Sequence, residues 1–137
     1  MPAINVDAGI EPLGLTPDKA MEAPKDPDKV GWYRLGPRPG ESGNALVDGH
    51  VDWGQKTRVF WGLRNLKPGD MVIVTDADGK KHEFAVQWSK WYDANASVSD
   101  SFAQSDQTEL TMITCGGEFD HTTRQYLSRL VVRAKLK

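Results

Sequence analysis

Turn signals rich in glycine and proline recur every ten or so residues of this chain, and no stretch between them carries an apolar stripe of helical length. An open α/β sheet needs such stripes on its crossover helices, so that class is disfavoured. Many short strands separated by turns predict instead an all-β barrel or sandwich.

Ala3 to Val6 and Ile10 to Leu15 read as brief strands, broken by Pro12. Thr16-Pro17-Asp18 has the N-cap and N1 residues of one helical turn. Gly36 to Gly40 is a loop. From Asn44 the strand signals strengthen, through Ala45-Leu46-Val47 and the short Val59-Phe60-Trp61. The turn Leu66 to Asp70 feeds a strand from Met71 to Thr75, and Asp76-Ala77-Asp78-Gly79 joins it to Lys81–Trp88 as a hairpin, with Gly79 supplying a positive φ. Ala96 to Gln104 is a short helical stretch, and Glu109–Cys115 and Arg129–Leu136 are the closing strands.

The 137 residues form one domain, 1–137, without an internal repeat. A charged fraction of 26% against 39% apolar fits a soluble globular protein. The net charge of −2, with neither sign in a long block, removes the electrostatic case for nucleic acid or an anionic membrane surface. A single cysteine excludes an intrachain disulfide and a multi-cysteine zinc site. No run reaches the ~18 apolar residues of a membrane span, so any membrane attachment is expected through an anchor outside this sequence.

Chemistry concentrates at the end of the chain. Leu130, Val132, Ala134 and Leu136 alternate with Arg129, Val131, Arg133 and Lys135, so one face packs on a core and the other meets solvent or a groove. If the strand ending at Cys115 is its antiparallel neighbour, Cys115 and Arg129 are close across the loop 116–128. Which face Cys115 occupies is left open. A thiol needs a nearby cation or base to react well at neutral pH; Arg129 can supply charge and His50 protons. Each residue also has a plainer reading: a space-filling cysteine, a turn histidine, a solvated arginine. Asp52 could orient His50 or simply face water. His82 alternates with Phe84, Val86 and Trp88 as a structural strand residue. Trp53 and Trp61 belong to groove or core. Asp100, Asp106 and Glu109 match no calcium loop with defined positions and read as a solvated acidic surface.

The segment Gly43-Asn44-Ala45-Leu46-Val47-Asp48-Gly49-His50 resembles the sortase segment that delivers the catalytic histidine. Thr111-Met112-Ile113-Thr114-Cys115 is similar to the T-L-x-T-C signature that ends in the sortase nucleophile. Thr123, Tyr126 and Arg129 meet the family pattern of a threonine, an aromatic three residues on and an arginine opening the last strand. The resemblance runs from about Ala3 to the C-terminus, with Gly31-Trp32-Tyr33 and Val47–Asp52 suggesting the class E or class F branch.

That resemblance implies a sortase-type closed β-barrel of about seven or eight short strands with one or two short helices. It implies a cysteine transpeptidase with His50, Cys115 and Arg129 as catalytic residues and Thr114, Gly116 and His121 toward substrate. Arg124 and Arg133 are the competing arginines. The expected substrate is an L-P-x-T-G-like sorting-signal peptide of a surface protein, cut between Thr and Gly. The acceptor would be an amine such as a cell-wall precursor, the location the extracytoplasmic face of a bacterial membrane, and neither cofactor, metal nor nucleic acid is called for. The alternatives are another cysteine peptidase, a peptidoglycan L,D-transpeptidase, and a non-enzymatic β module that binds peptide or mediates adhesion.

Overall fold

The computed structural model describes residues 1–17, 22–53, 56–93, 106–120 and 125–137, with backbone alone at 53, 115–120 and 125–127. Its strands are β1 (Ile10–Leu13), β2 (Val30–Tyr33), β3 (Gly43–Asp48), β4 (Asp52–Trp53), β5 (Lys56–Thr57), β6 (Met71–Thr75), β7 (Lys81–Asp93), β8 (Thr108–Asp120) and β9 (Gln125–Leu136). Seven of them form one curled sheet in the order β1-β2-β3-β8-β9-β7-β6, and β4 and β5 form a small separate ribbon. The pairs β1–β2 and β3–β8 are parallel; the other neighbours in the large sheet are antiparallel. The all-β expectation holds, with the sheet curled as a half-barrel whose edge strands are β1 and β6.

The concave face is built by alternation. Ala45 and Val47 of β3, Leu110 and Met112 of β8, Leu130, Val132 and Ala134 of β9, and Phe84 and Val86 of β7 are all buried in one cluster. Each large side chain buried this way stabilises the fold by about 1.5–3 kcal/mol. Phe60, Leu63 and Leu66 close the cluster from outside the sheet. Their spacing explains why Val59-Phe60-Trp61 is not the strand expected. Three-residue intervals suit a 3-10 helix, which runs from Trp61 to Asn65, and a period-two strand would turn Leu63 and Phe60 to opposite sides.

Other local expectations shift for equally local reasons. Pro2–Ile4 is a 3-10 turn rather than the start of a strand, closed by Asn5 at φ 53°, a conformation asparagine tolerates. Pro12 lies inside β1 instead of breaking it, because β1 is an edge strand and one side of its backbone needs no ladder partner. The Met71–Thr75/Lys81 hairpin forms as expected, with Gly79 at φ 82°. The helical stretch 96–104 lies outside the described residues, as does Asp18 of the Thr16 turn.

One irregularity reorganises the convex face. The β7–β9 register shifts between Val86 and Trp88, so that Val86 pairs with Ala134 but Trp88 with Arg133. An extra residue in one strand exchanges the faces of everything beyond it. Trp88 therefore does not share the buried face of Phe84 and Val86, as unbroken alternation would have it; it lies across from Arg133 and is 37% exposed. Lys90 and Tyr92 follow it to the convex side, where they pair with Val131 and Arg129. His82, before the bulge, has the structural role expected of it: Nε2 lies 2.9 Å from Asp76 Oδ2. That hydrogen bond leads the interactions holding the Asp76 carboxyl below its ordinary range.

Candidate active site

The site is assembled on the convex face just past the end of β3, within the β8–β9 ladder, which is longer than the sequence suggested and continues beyond Cys115 and Arg129 to the pair Asp120–Gln125. In the β8–β9 ladder Cys115 is the direct partner of Arg129, Ile113 of Val131 and Thr111 of Arg133. Directly opposed residues of an antiparallel pair share a face, so the positions of Cys115 and Arg129 are on the same side of the sheet. On the other flank of β9 the partner of Arg129 is Tyr92. Ile113 and Val131, the next pair along the same face, pack with Tyr92 as a second apolar cluster, separate from the main core.

The two arginines of β9 have different surroundings. Arg133 donates from Nε to Thr111 Oγ1 at 2.8 Å and from a terminal nitrogen to Glu109 Oε2 at 3.1 Å. Its guanidinium also lies 5.3 Å from the centroid of the Trp88 ring. Thr111 in turn donates to Asn44 Oδ1 at 2.6 Å, and both Thr111 and Asn44 are fully buried. Arg133 thus belongs to a polar network that ties β9 to β8 and β3. Arg129 Nε is buried and has no hydrogen-bond partner among the described residues. Leaving such a donor without a partner costs about 1–3 kcal/mol, a cost that a ligand carbonyl or oxyanion can offset. Arg124 lies outside the described residues.

His50 arrives from β3. The parallel register sets Asp48 against Ile113, and one residue further on Thr114 Oγ1 donates to Gly49 O at 2.9 Å, so the two chains are still adjacent just before His50 and Cys115. Gly49 is required by packing, since a Cβ there would lie 2.9 Å from the Phe60 ring. His50 O accepts from Phe60 N at 3.0 Å, and His50 Nε2 lies 2.7 Å from Pro24 O. Asp52 is exposed, in the β4–β5 ribbon. Thr114 is 5% exposed and opposes Leu130 on the concave side. Gly116 pairs with Ser128 just before a register shift, and His121 lies outside the described residues. Trp61 is exposed, with the Arg64 guanidinium 3.8 Å from its ring centroid.

Three neighbours of this region carried no recognisable signal in sequence. Tyr92 reaches Arg129 only because of the bulge in β7. Pro24 sits in a loop whose fold no local pattern specifies. Asp48 is legible only afterwards, as an acid placed inside an apolar strand just before Gly49-His50. It opposes Gly31 of β2, which opposes Glu11 of β1, so the two acids face each other across a residue with no side chain. Asp48 Oδ1 is buried and has no hydrogen-bond partner among the described residues. Burial first, and then the Glu11 carboxylate, push Asp48 up to about 7.

The sortase-domain family profile matches residues 1–137. Among solved structures, the chain is similar to the Clostridium perfringens sortase D5 transpeptidase, at 24% identity and TM-score 0.71, over 98% of this chain and 74% of that one. It is similar to Listeria monocytogenes sortase A at 19% identity and TM-score 0.74, over 99% and 82%. It is similar to sortase C2 of Group B Streptococcus pilus island 1 at 22% identity and TM-score 0.71, over 99% and 70%. No curated protein sequence matches the chain. The structural likenesses establish the fold, and the full-length profile match decides membership: the chain belongs to the sortase family, the cysteine transpeptidases.

Proposed function

We propose that this sortase cleaves an L-P-x-T-G-like sorting signal between Thr and Gly and transfers the new carboxyl end to an amine of the cell envelope. The observation that carries the reading is the register pair Cys115–Arg129, with a buried guanidinium nitrogen of Arg129 that has no acceptor among the described residues. The Cys115 thiolate adds to the threonine carbonyl carbon, and the oxygen that gains the electron pair is stabilised by Arg129. Collapse of this adduct expels the glycine amine, which takes a proton from the His50 imidazolium, and leaves a thioester on Cys115. An incoming amine gives its proton to His50, attacks the thioester carbonyl and releases the thiolate. No electron acceptor and no cofactor enters this sequence.

Thr114, Gly116 and His121 are assigned to the substrate side of the site. For Thr114 the role falls to the backbone, because its hydroxyl is committed to Gly49 O. Beyond Asp48, where β3 and its pairing to β8 stop, the edge of β8 at Cys115 and Gly116 would hold the peptide in extended form, as sheet edges hold other peptides. We place the enzyme on the extracytoplasmic face of a bacterial membrane, where sortases work; among the described residues no helix is long and apolar enough to cross one.

Mass spectrometry of the protein incubated with L-P-x-T-G peptides tests the proposal. A thioacyl adduct confined to Cys115, carrying the peptide up to threonine, is the expected result. Cleavage with no adduct and no dependence on Cys115 would overturn it. The same incubation with a peptidoglycan tetrapeptide stem is expected to give no adduct.

A further inference from the structure

We propose that Glu11 is a positioning residue for His50, acting through the single peptide unit that joins Pro24 to Lys25. The proposal deepens the assignment above and rests on His50 as the acid–base group.

The two ends of that peptide unit are both occupied. Its carbonyl, Pro24 O, lies 2.7 Å from His50 Nε2, and its amide, Lys25 N, donates to Glu11 Oε1 at 2.8 Å. In a trans peptide the C=O and N–H point in opposite directions, so one planar group spans the distance between carboxylate and imidazole. The order is Glu11 carboxylate, Lys25 N–H, Pro24 C=O, His50 Nε2. A carboxylate accepting from the N–H polarises the amide and makes its carbonyl a better acceptor, since hydrogen bonds in a chain reinforce one another.

Chemistry fixes the direction of the last bond. A carbonyl oxygen can only accept, so Nε2 carries a proton in the neutral ring as well as in the imidazolium. The proton exchanged with leaving and incoming amines is therefore the one on Nδ1. A carboxylate fixes the histidine of a catalytic triad in one tautomer in the same way, but through Nδ1 and by direct contact; here the held nitrogen is Nε2 and a peptide plane intervenes.

Among the described residues the loop is fastened to β1 and the residue after it, and at Asp28 to Arg58. Pro24 is buried but lies in no strand or helix. Glu22 N donates to Gly14 O at 3.0 Å and Gly14 N donates to Glu22 Oε1 at 2.7 Å, so the other end of the segment is fastened to the residue after Leu13. Glu11 completes the attachment at the point nearest His50.

The test combines imidazole nitrogen NMR on the substrate-free protein with steady-state kinetics on an L-P-A-T-G peptide. His50 is assigned by its loss in His50→Asn, which separates it from His82 and His121. The wild-type ring is expected as the Nε2–H tautomer when neutral; an Nδ1–H tautomer would overturn the relay without recourse to any variant. Glu11→Ala should lower kcat by about 10–100-fold, the range found when the group that orients a metal-bound imidazole is lost. Its KM should stay within about threefold and its His50 should become a tautomer mixture. Glu11→Gln retains an acceptor oxygen and should keep the Nε2–H tautomer, with kcat within about fivefold of wild type. A fall in kcat with the tautomer unchanged in Glu11→Ala sinks the proposal, as does wild-type turnover in that variant. Because the spectra need no substrate, failure of the peptide to react would refute the assigned substrate and leave the relay to be decided by NMR.

Discussion

Arg129 is held in register between Cys115 on one side and Tyr92 on the other, the central residue of a three-strand row on the convex face. The strand that carries it has its other arginine, Arg133, four residues along and roughly 13 Å away at the usual rise of a strand. Arg133 is already paired with Glu109 and Thr111, while Arg129 Nε is buried without a partner among the described residues.

Arg129→Lys is therefore expected to lower kcat/KM by about 2.7–4 kcal/mol of transition-state stabilisation, the loss typical of removing an oxyanion donor. Lysine keeps the charge but not the planar fork. Arg133→Lys should affect stability more than turnover, and Arg124→Lys should be mild. Parallel kinetics and urea melts on the three variants check this, and a larger kinetic loss at Arg124 or Arg133 would move the role away from Arg129.

Cys115→Ala should abolish cleavage and leave the fold in place. Removing a nucleophile costs orders of magnitude in rate. Retention of turnover to within about tenfold, measured on peptide with far-UV circular dichroism as the control, contradicts the assignment.

Asp48 predicts a pH dependence of stability. Its carboxyl titrates at 3.8 when unperturbed and at about 7 in the fold. The folded state thus holds this proton more tightly than the unfolded chain, so stability attributable to Asp48 is greatest below pH 3.8, falls as pH rises to about 7, and is level above that. Asp48→Asn removes the titration. It should match wild type near pH 4 and exceed it above pH 7 by an amount on the order of a few kcal/mol. Urea denaturation from pH 4 to pH 8 measures the difference, and parallel curves for the two proteins would show that Asp48 carries no such penalty.

Gly49→Ala should be costly although it adds one methyl group. The new Cβ meets Phe60 at 2.9 Å, at the point where the chain turns from β3 to His50. A loss of about 1–3 kcal/mol is expected from overpacking, together with lower kcat from a displaced imidazole. A variant with wild-type melting and turnover would show that Phe60 yields freely.

Much of this protein was legible in its residues. Period-two alternation from Leu130 to Leu136 defined the two faces of β9, turn chemistry located the β6–β7 hairpin, and the segments ending at His50 and Cys115 carried the family. These signals are local, and local backbone geometry decides them. What tertiary structure decided depends on groups distant in sequence. The register that pairs Cys115 with Arg129 rests on how the chain between them folds back, and the position of Tyr92 rests on one bulge residue that reverses the faces of β7. Period-three burial at Phe60, Leu63 and Leu66 came from the sheet they cover, which favoured a 3-10 turn over the intrinsic strand preference of Val59-Phe60-Trp61. The relay from Glu11 to His50 joins residues on β1, in a loop and beyond β3; no spacing rule connects them, because a backbone carbonyl has the same sequence signature everywhere and only folding selects the one that meets an imidazole.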